Sequence, residues 1–267
     1  MNKKVNDWRD VIGMPIVSEW SSEELEAILL EANFRCAVQC ANDNHGHVFF
    51  SLSGGLDSSL SMAMARRFLE TSSFHAFTIG GSPTHPDIRH AKMVTAKLKA
   101  NHYILLPAVS EIEVAKEEFV ITFPDTVRVW RKKNIGTYLL LRHISQFNVS
   151  SIIVHDGIDE LLGGYWEHRE NNGLKDKKEI FKNFWKKLET RHLEPLEKIA
   201  DRFKIKLIFP YLQKELVEYI PRIPPNERTS HRESKIPLRR IAQKYLPPEI
   251  VSRPKIGFCD ALKKDCF

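Results

Sequence analysis

Apolar residues recur at helical spacing through Leu25, Ile28, Leu29 and Ala32, directly after Ser21-Ser22-Glu23-Glu24. That capping-box pattern followed by a 3.6-residue period predicts an amphipathic helix opening at Ser21. A polar break over 42–46 leads into His47-Val48-Phe49-Phe50-Ser51-Leu52, a β-favouring run that stops at a glycine pair and predicts a buried strand. The alternation then repeats. A helix over 58–69 precedes a strand over 74–79, Pro86 stands where prolines open helices, and residues 103–106 predict a third strand. Helices from Ser110 and over 137–147 lead to the β-branched run Ser151-Ile152-Ile153-Val154. Strands alternating with helices argue an α/β fold with a largely parallel, twisted sheet flanked by helices. Beyond Tyr165 the pattern is mainly helical, with one extended segment over 206–209 and a Pro-rich stretch over 221–225.

The 267 residues, 42% of them hydrophobic, suffice for one sizeable core, and no linker long enough to separate domains interrupts them. Cys36, Cys40, Cys259 and Cys266 are too few and too unevenly spaced for a disulfide framework, so a reducing cytoplasm is the expected location. The opening MNKKVNDWRD carries no apolar segment behind its basic residues, and nowhere do about 18 apolar residues run together, so no membrane partner is expected.

A net charge of +6 raises the question of nucleic acid. The basic run over 175–187 interleaves its lysines with Phe181, Phe184, Trp185 and Leu188 at helical spacing, which predicts solvated lysines over a core-facing aromatic stripe. Nucleic acid is therefore not the expected partner. A second basic run, over 228–240, is a candidate part of a site.

The chemistry concentrates in Ser53-Gly54-Gly55-Leu56-Asp57-Ser58-Ser59, between a strand and a helix. Glycines let the backbone approach an anion, while helix-start N–H groups and the hydroxyls of Ser53, Ser58 and Ser59 can bind phosphate oxygens. The pattern is neither G-x-x-x-x-G-K-[ST] nor G-x-G-x-x-G. An aspartate inside such a loop repels phosphate unless a divalent cation stands between them, so Asp57 implies Mg²⁺. The alternative is an ordinary Gly-Ser turn with a helix cap. A second constellation, His155-Asp156-Gly157-Ile158-Asp159-Glu160, follows the Ile152 strand, and in a parallel sheet it opens on the same edge as the first loop. Asp159 can complete the metal's protein ligands, although acids at a helix start are also favoured by the helix dipole alone.

Taken together these segments resemble one family. S-G-G-L-D-S-S is similar to the pyrophosphate loop in the synthetase domain of glutamine-dependent asparagine synthetases, a fold shared with β-lactam and carbapenam synthetases. Gly80-Gly81-Ser82-Pro83 with Pro86-Asp87, then Asp159-Glu160-Leu161-Leu162-Gly163-Gly164-Tyr165, Phe209-Pro210-Tyr211-Leu212, Lys235-Ile236-Pro237-Leu238-Arg239, Leu246-Pro247-Pro248-Glu249-Ile250 and Arg253-Pro254-Lys255-Ile256-Gly257-Phe258 resemble its later motifs in order.

The resemblance implies an adenine-nucleotide α-hydrolase-like fold of the PP-loop ATP pyrophosphatase kind. One domain over 1–267 is expected, with a helical lead-in over 1–46, a nucleotide-binding core over 47–165 and a mainly helical completion over 166–267. It further implies ATP and Mg²⁺ as cofactors. The nucleotide would lie against the 53–59 loop, Leu52, Ile79, Gly157 and Lys235, the metal on Asp57 and Asp159, and Lys255 over the reacting centre. The implied reaction is adenylation of a carboxylate, aspartate by default, followed by transfer to ammonia or another amine. Lys235 and Arg239 are candidate phosphate contacts, whereas helix-surface charge is nearly as good a reading for Arg240 and Lys244.

Departures from the family pattern bear on the substrate. Val154, His155 and Asp156 stand where the family has serine, glycine and glutamate, so Asp156 and His155 are candidates for handling the incoming amine, with packing an equal reading for His155. Gln213 replaces an aspartate. No cysteine occupies the second position and little sequence precedes Val48, so ammonia is expected from solution or from a separate glutaminase subunit. Two alternatives remain open at this level: a PP-loop tRNA-modifying enzyme, and an ATP-binding regulatory subunit with little turnover.

Overall fold

Five strands in the described residues, β1 (His47–Ser51), β2 (Ser73–Ile79), β3 (Asn101–Leu105), β4 (Ser151–Ile153) and β5 (Lys206–Ile208), form one sheet in the order β3-β2-β1-β4-β5, every pair parallel. The structure, a computed structural model, describes residues 20–124, 128–170, 176–255 and 262. The MNKKVNDWRD segment, Lys175, Ile256, Gly257, Phe258, Cys259 and Cys266 fall outside the described residues. The helices are α1 (Ser22–Asp43), α2 (Leu56–Arg66), α3 (Pro86–Leu98), α4 (Val109–Thr122), α5 (Arg128–Ser145), α6 (Ile158–Leu162), α7 (Asp176–Leu188), α8 (Glu194–Arg202), α9 (Lys214–Tyr219), α10 (Pro225–Arg228), α11 (Ile236–Ala242) and α12 (Pro248–Val251). No helix among the described residues is long and apolar enough to cross a membrane.

The α/β architecture is the expected one, with one addition: the extended segment beyond Tyr165 supplies a strand of the sheet. β5 pairs with β4 through Ile152↔Leu207, a non-local pairing that no local sequence pattern specifies. The chain runs from β1 outward to β2 and β3, then returns to place β4 on the other side of β1. That reversal makes the carboxyl ends of β1 and β4 a topological switch point, where open α/β sheets bind ligands. Phe50 pairs with Ile153 across it, so the two loops read as chemical leave the sheet side by side.

Local chemistry fastens the elements around this edge. Ser21 caps α1 by accepting from the Glu24 amide at 2.9 Å. The return half of the capping box is replaced: the Ser21 amide donates to the Tyr219 hydroxyl at 3.0 Å, and that hydroxyl donates to Glu24 Oε2 at 2.9 Å. At the far end of α1, Asn44 accepts from the Ser150 amide at 2.8 Å and donates to the Ser151 carbonyl at 3.0 Å, which fixes where β4 starts. The aromatic stripe of α7 behaves as expected, with Phe181, Trp185 and Leu188 buried and Lys178, Lys186 and Lys187 exposed.

One long-range clamp joins the C-terminal segment to the phosphate-type loop. Arg253 donates through Nη1 to the Ser53 carbonyl at 2.9 Å and through Nη2 to Asp87 at the start of α3, and both side chains of the ion pair are only 5% exposed. Burial raises the Asp87 pKa even with Arg253 alongside, so the pair is a fastening rather than a source of net stability, and breaking one side of it is the costly event. Asp87→Ala, which leaves the Arg253 guanidinium buried without its carboxylate, is expected to lower the unfolding free energy by about 3–5 kcal/mol in urea titration; a change within the range of a surface substitution would show that the clamp is not closed.

Candidate active site

The 53–59 loop is shaped by close packing on α3. Gly54 has φ +65°, and a Cβ there would lie 2.3 Å from the Ala91 amide nitrogen, so glycine is required for both conformation and space. The loop's hydroxyls first satisfy the loop itself: Ser53 Oγ lies 3.2 Å from Ser58 Oγ and accepts from the Gly55 amide at 3.3 Å. Gly55 provides no capping side chain at the start of α2, leaving the helix's first amides for another acceptor. Ser59 Oγ and Asp57 Oδ1 are buried and have no hydrogen-bond partner. Unmet buried polar atoms are uncommon in folded proteins and are commonly met by water, an ion or a ligand.

The β4 loop brings Asp159 to the same place. Gly157, at φ +97°, starts α6 against Leu212; a Cβ there would lie 2.3 Å from Leu212 Cδ2. The Gly163 and Gly164 amides donate to the Asp159 carbonyl at 2.9 and 2.8 Å. An added Cβ at Gly164 would come within 1.6 Å of Asp159 Oδ1, so the absence of a side chain here leaves room for that carboxylate.

Lys235 ties the two acids together. Its ammonium donates to Asp57 Oδ2 at 2.5 Å and lies 2.5 Å from Asp159 Oδ1. The residue is 4% exposed and sits at φ +54° just before α11, a left-handed conformation that costs energy for a side chain with a Cβ and that persists where the surroundings demand it. Burial alone would lower its pKa, but Asp159 and Asp57 outweigh burial and raise it. For Asp159, burial pushes the carboxyl up, and the ammonium groups of Lys235 and Lys255 outweigh that and hold it well below the usual range.

Lys255 completes the cluster. Its ammonium donates to Asp159 Oδ2 and stands 4.3 Å from the centre of the Tyr165 ring, a cation–π contact. The Tyr165 ring is in turn held by its hydroxyl, which donates to the buried Glu160 at 2.6 Å, and by stacking on Phe184 at 4.6 Å. Burial, then the charge of Asp159, pushes Glu160 up to about 7. The same two causes push Asp156 up to about 6. His155 goes the other way: burial lowers it to about 3, its ring lies 6.2 Å from that of Tyr211, and it is neutral and a weak base near pH 7.

Asparagine synthase is the description of the family model that matches residues 29–197 and 178–267. The chain belongs to the asparagine synthase family. Glutamine-hydrolyzing asparagine synthetase 1 of Lotus japonicus is 30% identical over 234 residues, 79% of this chain and 39% of that protein. Asparagine synthetase B of Escherichia coli (strain K12) is 26% identical over 236 residues, 79% of this chain and 40% of the relative. The chain thus spans about two fifths of the length of these curated relatives. Among solved structures, an NH3-dependent NAD synthetase from Campylobacter jejuni aligns with a TM-score of 0.37 at 18% identity, covering 74% of this chain and 92% of that one.

Within this asparagine synthase domain, Asp57, Asp159, Lys235 and Lys255 converge, while other predicted residues stand apart. Leu52 follows β1 and Ile79 closes β2, at 1% and 2% exposure, so their side chains belong to the core. The Arg239 guanidinium is engaged by the main chain: it donates to the Ser234 carbonyl at 2.9 Å and to the Val251 carbonyl. Arg240 is exposed and Lys244 pairs with Glu26, as helix-surface charge. Sequence reasoning missed Tyr211, whose hydroxyl donates to the Asp57 carbonyl at 2.8 Å, and Arg253, although it stands two residues before Lys255 in the same motif.

Gly164→Ala must displace the Asp159 side chain, so it is expected to lower the unfolding free energy by about 1–3 kcal/mol in urea titration; wild-type stability in the Gly164→Ala variant would show that the carboxylate does not need its observed position.

Proposed function

We propose that the chain is an ATP-dependent carbon–nitrogen ligase that adenylates a carboxylate, aspartate-like by default, releases pyrophosphate, and passes the acyl group to ammonia or another amine. The observation that carries this reading is the pairing of Asp57 and Asp159, from the ends of neighbouring parallel strands, around the buried Lys235 with Lys255 alongside. A separate glutaminase subunit is one source from which ammonia would come, and a soluble cytoplasmic setting suits the chemistry.

The residues fit Mg·ATP. Among the described residues no group of three or more His, Cys, Asp or Glu could enclose a metal, but Mg²⁺ typically takes one or two carboxylates and completes its shell with water and substrate phosphates. Asp57, with its unmet buried Oδ1, and Asp159 would hold it; when bound it would neutralise phosphate charge beside the reacting centre. The 53–59 loop would receive the β- and γ-phosphates on its amides and on Ser59.

In the first step a substrate carboxylate oxygen attacks the α-phosphorus, the bond to the bridging oxygen breaks, and pyrophosphate leaves. Two anions meet there, and Lys255 and Lys235 supply fixed positive charge to lower that barrier. In the second step the amine nitrogen attacks the acyl carbon and AMP leaves. The amine must lose a proton, and Asp156, raised to about 6, is ionised at neutral pH yet more basic than an ordinary carboxylate. His155, lowered to about 3, does not suit that role.

Incubation with ATP, Mg²⁺, ammonium and a panel of carboxylic acids is expected to yield AMP and pyrophosphate in equal amounts, with one acid required. Asp57→Asn and Lys255→Ala should each lower that yield by about 100-fold or more without unfolding the protein. ADP as the nucleotide product, or wild-type rates in both variants, would overturn the assignment.

A further inference from the structure

Beside Lys255 a half-open cavity of about 840 Å³ is lined by Gly164, Arg169, Arg232, Glu233, Arg239 and Lys255, among others. No residue of the 53–59 loop lines it, whereas Gly164 and Lys255 belong both to it and to the site. Its charge is lopsided. Four cations face one acid, and Glu233 is half-exposed and, among the described residues, approaches Arg239 alone, at 3.9 Å. Lys255 is committed to Asp159, and Arg239 to main-chain carbonyls. That leaves two guanidinium groups over, Arg169 half-buried and Arg232 exposed to solvent. Among the described residues no carboxylate lies within ion-pair distance of Arg169 or Arg232. Arg169 stands over the Trp166 ring at 4.8 Å, and its Nε is buried with no acceptor.

A guanidinium oriented by an aromatic platform, with buried N–H unmet, is built to receive a carboxylate or phosphate in a two-pronged contact. The uncompensated positive charge in a concave wall also draws anions in. Size narrows the ligand further. Ammonia is about the size of water, whose share of liquid volume is about 30 Å³; aspartate is compact; cavities of roughly 300–1,000 Å³ hold drug-sized molecules.

We infer that this cavity is the subsite for the non-reacting end of the acid substrate, and that this acid is larger than aspartate and carries at least one further carboxylate or phosphate. The inference rests on the proposed adenylating function and deepens it. The acid's reacting carboxyl lies at the Lys255 end, and its remaining anionic groups pair with Arg169 and Arg232.

The test is direct titration calorimetry of the protein with tricarballylate and with 3-phosphoglycerate, alongside separate titration with Mg·ATP. At least one acid is expected to bind, the tighter one telling a carboxylate reader from a phosphate reader. Affinity should fall about tenfold in Arg169→Gln and in Arg232→Gln, with Mg·ATP affinity kept within about twofold. Arg169→Lys, which preserves the charge and most of the stem, should retain more affinity than Arg169→Gln and so separate lost recognition from misfolding. Absence of binding by both acids, wild-type affinity in both glutamine variants, or an equal loss of Mg·ATP affinity overturns the subsite. ATP–pyrophosphate exchange distinguishes the two levels of failure. Exchange supported by aspartate with a KM unchanged in Arg169→Gln sinks this inference and leaves adenylation standing; arginine-dependent acid binding with no exchange from any acid sinks adenylation and leaves the subsite.

Discussion

One buried ammonium group organises the centre of this protein. Lys235 lies between Asp57 and Asp159 at 2.5 Å from each, and without it two carboxylates would face each other across the switch point of the sheet. Like charges at such range cannot both remain ionised without a cation between them. The arrangement draws together three segments far apart in the chain: the loop after β1, the loop after β4 and the turn before α11. The left-handed backbone at Lys235 is the local cost of that convergence. One Asp57 oxygen beside it has no hydrogen-bond partner.

The supports around this centre are glycines and an arginine rather than further acids. Gly54 lets the first loop lie on α3, Gly164 leaves room for the Asp159 carboxylate, and Arg253 ties the segment carrying Lys255 to both Ser53 and Asp87. Lys255 therefore reaches the cluster from a segment whose position is fixed two residues earlier. Tyr165, anchored by Glu160 and Phe184, gives its ammonium an aromatic face.

Much of this was legible in the sequence, for reasons that differ by element. The strand–glycine–helix sequence around residues 53–59 is a local pattern, and the α/β alternation and the buried aromatic stripe of α7 follow from periodicity. The family motifs marked Asp57, Asp159, Lys235 and Lys255. What they could not convey is tertiary: that β5 pairs with β4, that Tyr219 replaces half of a capping box, or that Arg239 gives its donors to main-chain carbonyls. Leu52 and Ile79 stand at the right height on their strands, but their side chains are buried in the core. Arg169 carries no motif and Arg232 is one cation of the basic run over 228–240; only the cavity they share brings the two together.

The claim on which the account turns is that Asp57 and Asp159 jointly hold the metal of a bound Mg·ATP. Electron paramagnetic resonance of Mn²⁺, titrated into the protein with and without ATP, tests it without requiring turnover or a known acid. The account predicts ATP-dependent loss of the free Mn²⁺ signal in the wild type, weakened by at least about tenfold in Asp57→Asn and in Asp159→Asn. Wild-type Mn²⁺ binding in both variants would contradict it.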